Sequence, residues 1–170
     1  AFAELLAAHL SAILAFIKRH IRDHALAEDL AQETFTRVWQ HADTWQPREA
    51  SPRSWIYKIA YHLCIDELRR RKPVDSEAPE PVETQGPEQH LFKDRQNDHL
   101  RTAMNLLPER QRTALYLCAY QGLGNKEAAA ILAISVEALE SLLARARRQL
   151  KDYFTRLEGE HYALHTRLRN

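Results

Sequence analysis

Between residues 106 and 150 the chain reads LLPERQRTALYLCAYQGLGNKEAAAILAISVEALESLLARARRQL, with Ala129, Ala133, Leu139 and Leu142 at the spacing of a helix-turn-helix. Few patterns constrain a fold as tightly. Small residues let two helices approach at a tight turn, and the leucines bury one side of the second helix so that its other side can enter a DNA major groove. An ordinary helical hairpin satisfies part of the same pattern, so the segment alone leaves both readings open.

Elsewhere apolar residues recur at helical spacing and no run of alternating β-branched residues occurs, which predicts an all-α chain. A first helix is expected over residues 3–22, with Leu6, Leu10, Ile13, Leu14 and Ile17 on one face. A second, over 27–41, buries Leu30, Phe35, Val38 and Trp39 and shows Glu28, Asp29, Gln32, Glu33 and Thr36 outward. Ser51-Pro52 starts a third, because serine caps free amides and proline tolerates the first helical position; Pro73 limits it to about residue 72. Further helices are expected over 89–105, 108–121, 125–132 and 135–156, with Gly122 and Gly124 breaking the chain between two of them.

The segment 73–88, PVDSEAPEPVETQGPE, holds four of the seven prolines and almost no large apolar residue, so it cannot form a core. It therefore divides the chain into two small helical domains, 1–72 and 89–170, joined by a flexible, acidic, Pro-rich linker. Formal charge follows the same division: +2, −5 and +4 for the three parts, within a net +1. Two mildly basic blocks around an acidic connector suit two nucleic-acid contacts, and a solvated linker explains the connector equally well. No run is long enough to cross a membrane and no secretory pattern is present. The chain starts on Ala1, as expected of a segment of a longer product. Cys64 and Cys118 lack metal-ligand spacing and read as buried packing residues in a reducing compartment, so neither a metal nor a cofactor is expected.

In the third helix, Ile56, Ile59, Ala60, Leu63 and Leu68 make the apolar stripe, which leaves Tyr57, Lys58, Tyr61, His62 and Arg69 on or near the other side. Interleaved rings and cations can stack on unpaired bases and hold phosphates, and Arg69, Arg70, Arg71 and Lys72 extend the strip. The same rings can equally be packing residues, and the basic run can serve only to complement the helix dipole.

Four patterns occur together in one order: D-x-x-Q-E-x-F at Asp29, Gln32, Glu33 and Phe35; W-x-x-x-I-A from Trp55; I-D-x-L-R-R-R from Ile65; and L-P-x-x-x-R from Leu107 to Arg112. In this the chain strongly resembles the extracytoplasmic-function (group four) sigma factors of bacterial RNA polymerase, members of the sigma-70 family, over nearly its whole length. The resemblance implies a specificity factor that binds core RNA polymerase, through its beta-prime and beta subunits, and directs promoter-specific initiation; it implies no enzyme activity.

Under that resemblance, Asp29, Gln32, Glu33 and Thr36 dock on the beta-prime clamp helices. The loop 45–53 and the third helix meet the unpaired minus-10 strand through Trp45, Arg53, Lys58, Tyr61, His62, Arg69 and Arg70, and a flipped base sits in the loop pocket. Arg112, Ser135, Glu137, Ala138, Glu140, Ser141, Arg145 and Arg148 face the minus-35 duplex. Val136, Leu139, Leu142 or Leu143, and Ala146 are the buried anchors, and Ser135 caps the helix.

Four residues depart from the family's common pattern. Glu140 stands where Lys is usual and Leu142 where Arg is frequent, while Tyr61 and His62 replace the commoner Arg and Asn. Glu140 can accept a hydrogen bond from cytosine or face solvent, and the cost of a carboxylate near phosphates tips the balance towards solvent.

The resemblance further implies a cytoplasmic protein controlled by an anti-sigma factor, which can be membrane-anchored. It also implies an acidic linker that imitates nucleic acid in the polymerase RNA exit path, and a tail beyond residue 157 that either frays or docks. A stand-alone helix-turn-helix regulator acting without core polymerase is the rival reading. A nuclease would need a carboxylate cluster or a His/Cys metal set, and no usable spacing supplies either.

Overall fold

The computed structural model describes residues 2–46, 50–71 and 94–167, with side chains described from 98 to 159 in the last of these segments. The expected linker, 73–88, lies outside them. All regular structure within the described residues is helical: α1 (Phe2–His20), α2 (His24–Gln40), α3 (Pro52–Arg71), α4 (Asp94–Leu106), α5 (Glu109–Leu115), α6 (Asn125–Leu132) and α7 (Val136–Arg167). A 3₁₀ turn, Ala42–Thr44, follows α2, and a π-helical turn, Tyr116–Tyr120, follows α5. Two compact units divide these elements, one gathering α1–α3 with residues 126–134 and the other α4, α5 and α7.

In the first unit α1, α2 and α3 each pack against the other two. Asp23 caps α2, its Oδ1 accepting from Leu26 N at 3.1 Å, and Ser51 caps α3, its Oγ accepting from Ser54 N at 3.2 Å. Lys18, Arg19 and His20 close α1 where its dipole favours positive charge. The core comprises Ile13, Phe16 and Ile17 of α1, Ala27, Leu30, Ala31, Phe35 and Val38 of α2, and Ile56, Tyr57, Ala60, Leu63 and Cys64 of α3. Each large apolar side chain buried there contributes about 1.5–3 kcal/mol. Phe16 and Tyr57 meet edge to face with ring centroids 5.1 Å apart.

Several faces differ from expectation. Leu10 and Trp39 are exposed, at 41% and 64%. The buried arc of α2 runs through Ala27, Leu30, Ala31, Thr34, Phe35 and Val38, and Trp39 lies about 40° beyond its Phe35 edge, with its ring against Phe2 at 4.9 Å. Phe16, absent from the expected stripe of α1, is fully buried. On α3 the tyrosines were placed opposite the stripe, yet Tyr57 and Tyr61 are both buried. A helix clamped by two neighbours has a buried arc too wide for one stripe, and Ile59 and Leu68 end up only half-buried.

In the second unit α5 packs along α7. Ala103, Met104, Leu107, Ala114, Leu115, Tyr116 and Leu117 are buried with Leu139, Leu143 and Ala146 of α7. The helix expected over 108–121 loosens after Leu115, where Gln121 N bonds to Tyr116 O at 3.0 Å, and Gly122 then takes φ 62°. Cys118 lies in that π turn and is half-buried, whereas Cys64 is buried as expected. The last helix was expected to end near residue 156 and continues to Arg167.

α6 ends in a closed turn. Ile134 N donates to Ala129 O at 3.0 Å and Ala133 N to Ala130 O at 3.3 Å, the paired bonds of a Schellman motif. Ala133, at φ 53°, holds the left-handed position that glycine usually takes there, and is the one non-glycine residue with positive φ among the described residues.

Candidate nucleic-acid and polymerase interfaces

The outward face of α2 carries Asp29, Gln32 and Thr36, all exposed, with Glu33 half-buried beside them. Thr36 Oγ1 donates to Gln32 O at 2.9 Å, which fixes its rotamer. Arg37 Nε donates to Glu33 Oε1 at 2.7 Å. An exposed i,i+4 pair of this kind contributes only about 0.3–0.5 kcal/mol, so it orients Glu33 more than it stabilises the helix. The four residues expected to meet a protein partner therefore do share one accessible face.

On α3, Lys58, His62, Arg69 and Arg70 are exposed and Arg53 is half-buried. Glu67, almost wholly buried, receives Arg70 at 2.6 Å and Arg71 at 2.8 Å. The basic run is thus partly neutralised by an acid within it. Tyr61 does not join the accessible strip, because it is buried with its ring edge-on to His20 at 5.9 Å.

Trp45 Nε1 donates to Ala50 O at 3.1 Å and its ring lies 6.5 Å from that of Trp55. Residues 47–49 of the expected loop lie outside the described residues. A cavity of about 270 Å³ opens beside Trp55, lined also by Arg37, His41, Thr44, Ile59 and His62. Burial holds the His62 imidazole below its ordinary pKa; Lys58 pushes the same way and Asp66 opposes both. A neutral ring there offers one donor and one acceptor, beside the Arg37 guanidinium, the Thr44 hydroxyl and the Trp55 plane.

Along α7, Ser135, Glu137, Ala138, Glu140, Ser141, Arg145 and Arg148 are all accessible. Leu139, Leu143 and Ala146 are the buried anchors, with Val136 and Leu142 outside the core, so of the two candidate leucines Leu143 fills it. Ser135 Oγ accepts from Ala138 N at 3.1 Å and caps the helix. Ser141 Oγ donates to Glu137 O at 3.0 Å, and Asn125 Nδ2 donates to Glu140 Oε1 at 3.4 Å. Arg112, on α5, is half-buried. Among the described residues no group of three or more His, Cys, Asp or Glu could hold a metal, and no helix is long and apolar enough to cross a membrane.

Residues 5–74 match the family described as Sigma-70 region 2, and residues 98–150 match Sigma-70, region 4. YlaC, an RNA polymerase sigma factor of Bacillus subtilis, is 30% identical over 156 residues, covering 87% of this chain and 88% of that protein. The chain belongs to the sigma-70 family, in its extracytoplasmic-function group.

SigE, an ECF RNA polymerase sigma factor of Mycolicibacterium smegmatis, is 36% identical over 140 residues, which cover 79% of this chain and 54% of that protein, so the chain spans about half of that relative's length. The fold also resembles that of the sigma factor RpoE of Bartonella quintana, solved in complex with the anti-sigma factor NepR. That likeness has a TM-score of 0.67 at 24% identity and covers 91% of this chain and 96% of the other.

Within this sigma factor, α1–α3 fall in the region 2 match, and α4–α6 with the first half of α7 in the region 4 match. Sequence reasoning named His62 but missed Arg37, His41, Thr44 and Trp55 as its cavity neighbours. They come from the end of α2, the 3₁₀ turn and two turns of α3, which only packing brings together. It also missed Asn125, fifteen residues before Glu140, where no helical spacing relates the two. The Glu67 pairing was legible, since Arg70 and Arg71 stand three and four residues on.

Proposed function

We propose that this sigma factor binds core RNA polymerase through the exposed α2 face and directs initiation by reading two promoter elements. The observation that carries the reading is the pair of accessible, oppositely specialised helix faces in a chain matching both regions: an acidic-polar face on α2 and the α7 face opposite Leu139, Leu143 and Ala146. Asp29, Gln32, Glu33 and Thr36 meet the polymerase clamp. Arg53, Lys58, His62, Arg69 and Arg70 follow the minus-10 strand with Trp45, and an extruded base enters the cavity bordered by His62 and Trp55. Tyr61 is left a packing role by its burial.

Residues 1–72 and 89–170 act as the minus-10 and minus-35 modules, with 73–88 as the connector. Arg112, Arg145 and Arg148 bind phosphate or guanine around the minus-35 duplex, and Ser135, Glu137, Ala138, Glu140 and Ser141 face its groove. The protein works in the cytoplasm, where core polymerase and promoters are. An anti-sigma factor holds it inactive; the complex of RpoE with the anti-sigma factor NepR, on the same fold, supports this.

Reconstituted transcription tests the reading. Core polymerase plus this chain should start at defined sites on genomic DNA from the source bacterium. Duplex binding that is specific without core polymerase, and unchanged by adding it, would establish the stand-alone regulator instead.

A further inference from the structure

The first two turns of α7 hold accessible Glu137, Ala138, Glu140 and Ser141 and no cation; arginines begin only at Arg145. The hydroxyls there are already engaged, Ser135 Oγ with Ala138 N and Ser141 Oγ with Glu137 O. Ser135 keeps its O–H and Ser141 its lone pairs, so the charged hydrogen-bonding groups at this end of the helix are carboxylates, which accept and never donate. Within the same compact unit, Asn125 Nδ2 donates to Glu140 Oε1 at 3.4 Å. One oxygen of Glu140 is thus held from the start of α6, while both residues stay exposed.

A recognition helix meets base edges with its N-terminal residues. In the major groove guanine offers two acceptors, thymine an acceptor and a methyl group, and adenine an acceptor beside its amino group; cytosine offers its N4 amino donor and no acceptor. A carboxylate is repelled by those acceptors, adenine's N6 donor being flanked by N7, which leaves cytosine, whose own edge offers only a donor, as the base it fits best. An unrestrained glutamate would lose side-chain entropy on ordering in the groove, and the Asn125 amide orders it beforehand.

We infer that Glu140 selects a cytosine in the minus-35 duplex by accepting from its N4 amino group through Oε2, with Asn125 as the positioning residue that holds Oε1. The inference rests on the minus-35 role proposed for α7. The fixed charge that weakens binding to phosphate in general becomes the element that rejects guanine, adenine and thymine at one base pair.

The test is selection of bound promoters by the holoenzyme from a library randomised across the minus-35 element. Wild type should enrich cytosine at one position. E140A should lose that enrichment by about five- to one-hundred-fold while keeping the others. E140Q should move the preference at that position to adenine, whose N6 and N7 match a glutamine amide. N125A should weaken the cytosine enrichment without installing another base, and an N125A profile identical to wild type would overturn the positioning role. If E140A and E140Q return the wild-type base profile, even with tighter binding to every sequence, the inference is overturned and the minus-35 reading survives. If no minus-35 sequence is enriched by any of the proteins, both are overturned.

Discussion

Ala133 is the clearest single-residue liability. A non-glycine residue in the left-handed region costs about 1–2 kcal/mol, and glycine there gives back about 0.4–1 kcal/mol through the entropy of the unfolded chain. Ala133→Gly should therefore stabilise the protein by about 0.5–1 kcal/mol in urea unfolding, and Ala133→Val, with its branched side chain, should destabilise it; stabilisation by valine would contradict the assigned backbone geometry.

His62, at the edge of the cavity, changes its chemistry with pH. Its folded-state pKa is held below the ordinary value by burial and by Lys58, against Asp66, so the unfolded chain takes up the proton first as pH falls. Stability is thus flat above about pH 6.5, falls with pH between the two pKa values, and levels off below the folded one. His9 shifts in the same direction, from burial and Arg53, and contributes in parallel. His62→Asn should shallow that slope, read from unfolding midpoints between about pH 5 and 7. An NMR titration of His62 at or above about pH 6.5 would show the direction to be wrong.

At the scale of elements, α7 was legible because its cap, apolar stripe and polar face are local properties of one helix. What the stripe could not settle was which of two adjacent leucines enters the core, since either fits a helical repeat. Packing against α5 places Leu143 inside, 3% exposed, and Leu142 at the edge. Leu143→Ala should cost about 2–5 kcal/mol and Leu142→Ala clearly less; equal losses in thermal or denaturant unfolding would refute this azimuth. Ser135→Ala, which removes the cap, should cost about 1 kcal/mol and fray the end of the helix that is proposed to enter the groove. α3 shows the opposite limit. Its aromatic residues suit both a base-stacking surface and a core, and contacts with α1 and α2 put Tyr57 and Tyr61 in the core.

For the whole molecule, each unit carries a core and an accessible face of its own, so the two proposed activities should be separable by mutation. Asp29→Lys with Glu33→Lys reverses charge on the α2 face without touching the core. The pair should abolish co-purification with core polymerase while changing thermal unfolding by no more than about 1 kcal/mol, from the loss of the Glu33–Arg37 pair and its replacement by like charges. Retained co-purification would remove the docking role from this face. The family was readable from the sequence because its motifs hold fixed local spacing, three within single helices and the fourth, Leu107 to Arg112, across the start of α5, and the matches to regions 2 and 4 fall where those motifs stand.

Sequence alone determined the all-helical class, the Ser51 and Ser135 caps, the polar α2 and α7 faces and the family, because helix periodicity, capping and motif spacing depend on residues within a few positions of one another. Tertiary structure decided the exposure of Trp39, the burial of Tyr61, the cavity that joins Arg37 and His41 to His62, and the Asn125 amide on Glu140. Each of these depends on which helix lies against which and at what rotation, and such contacts between distant positions leave no periodic mark on the chain.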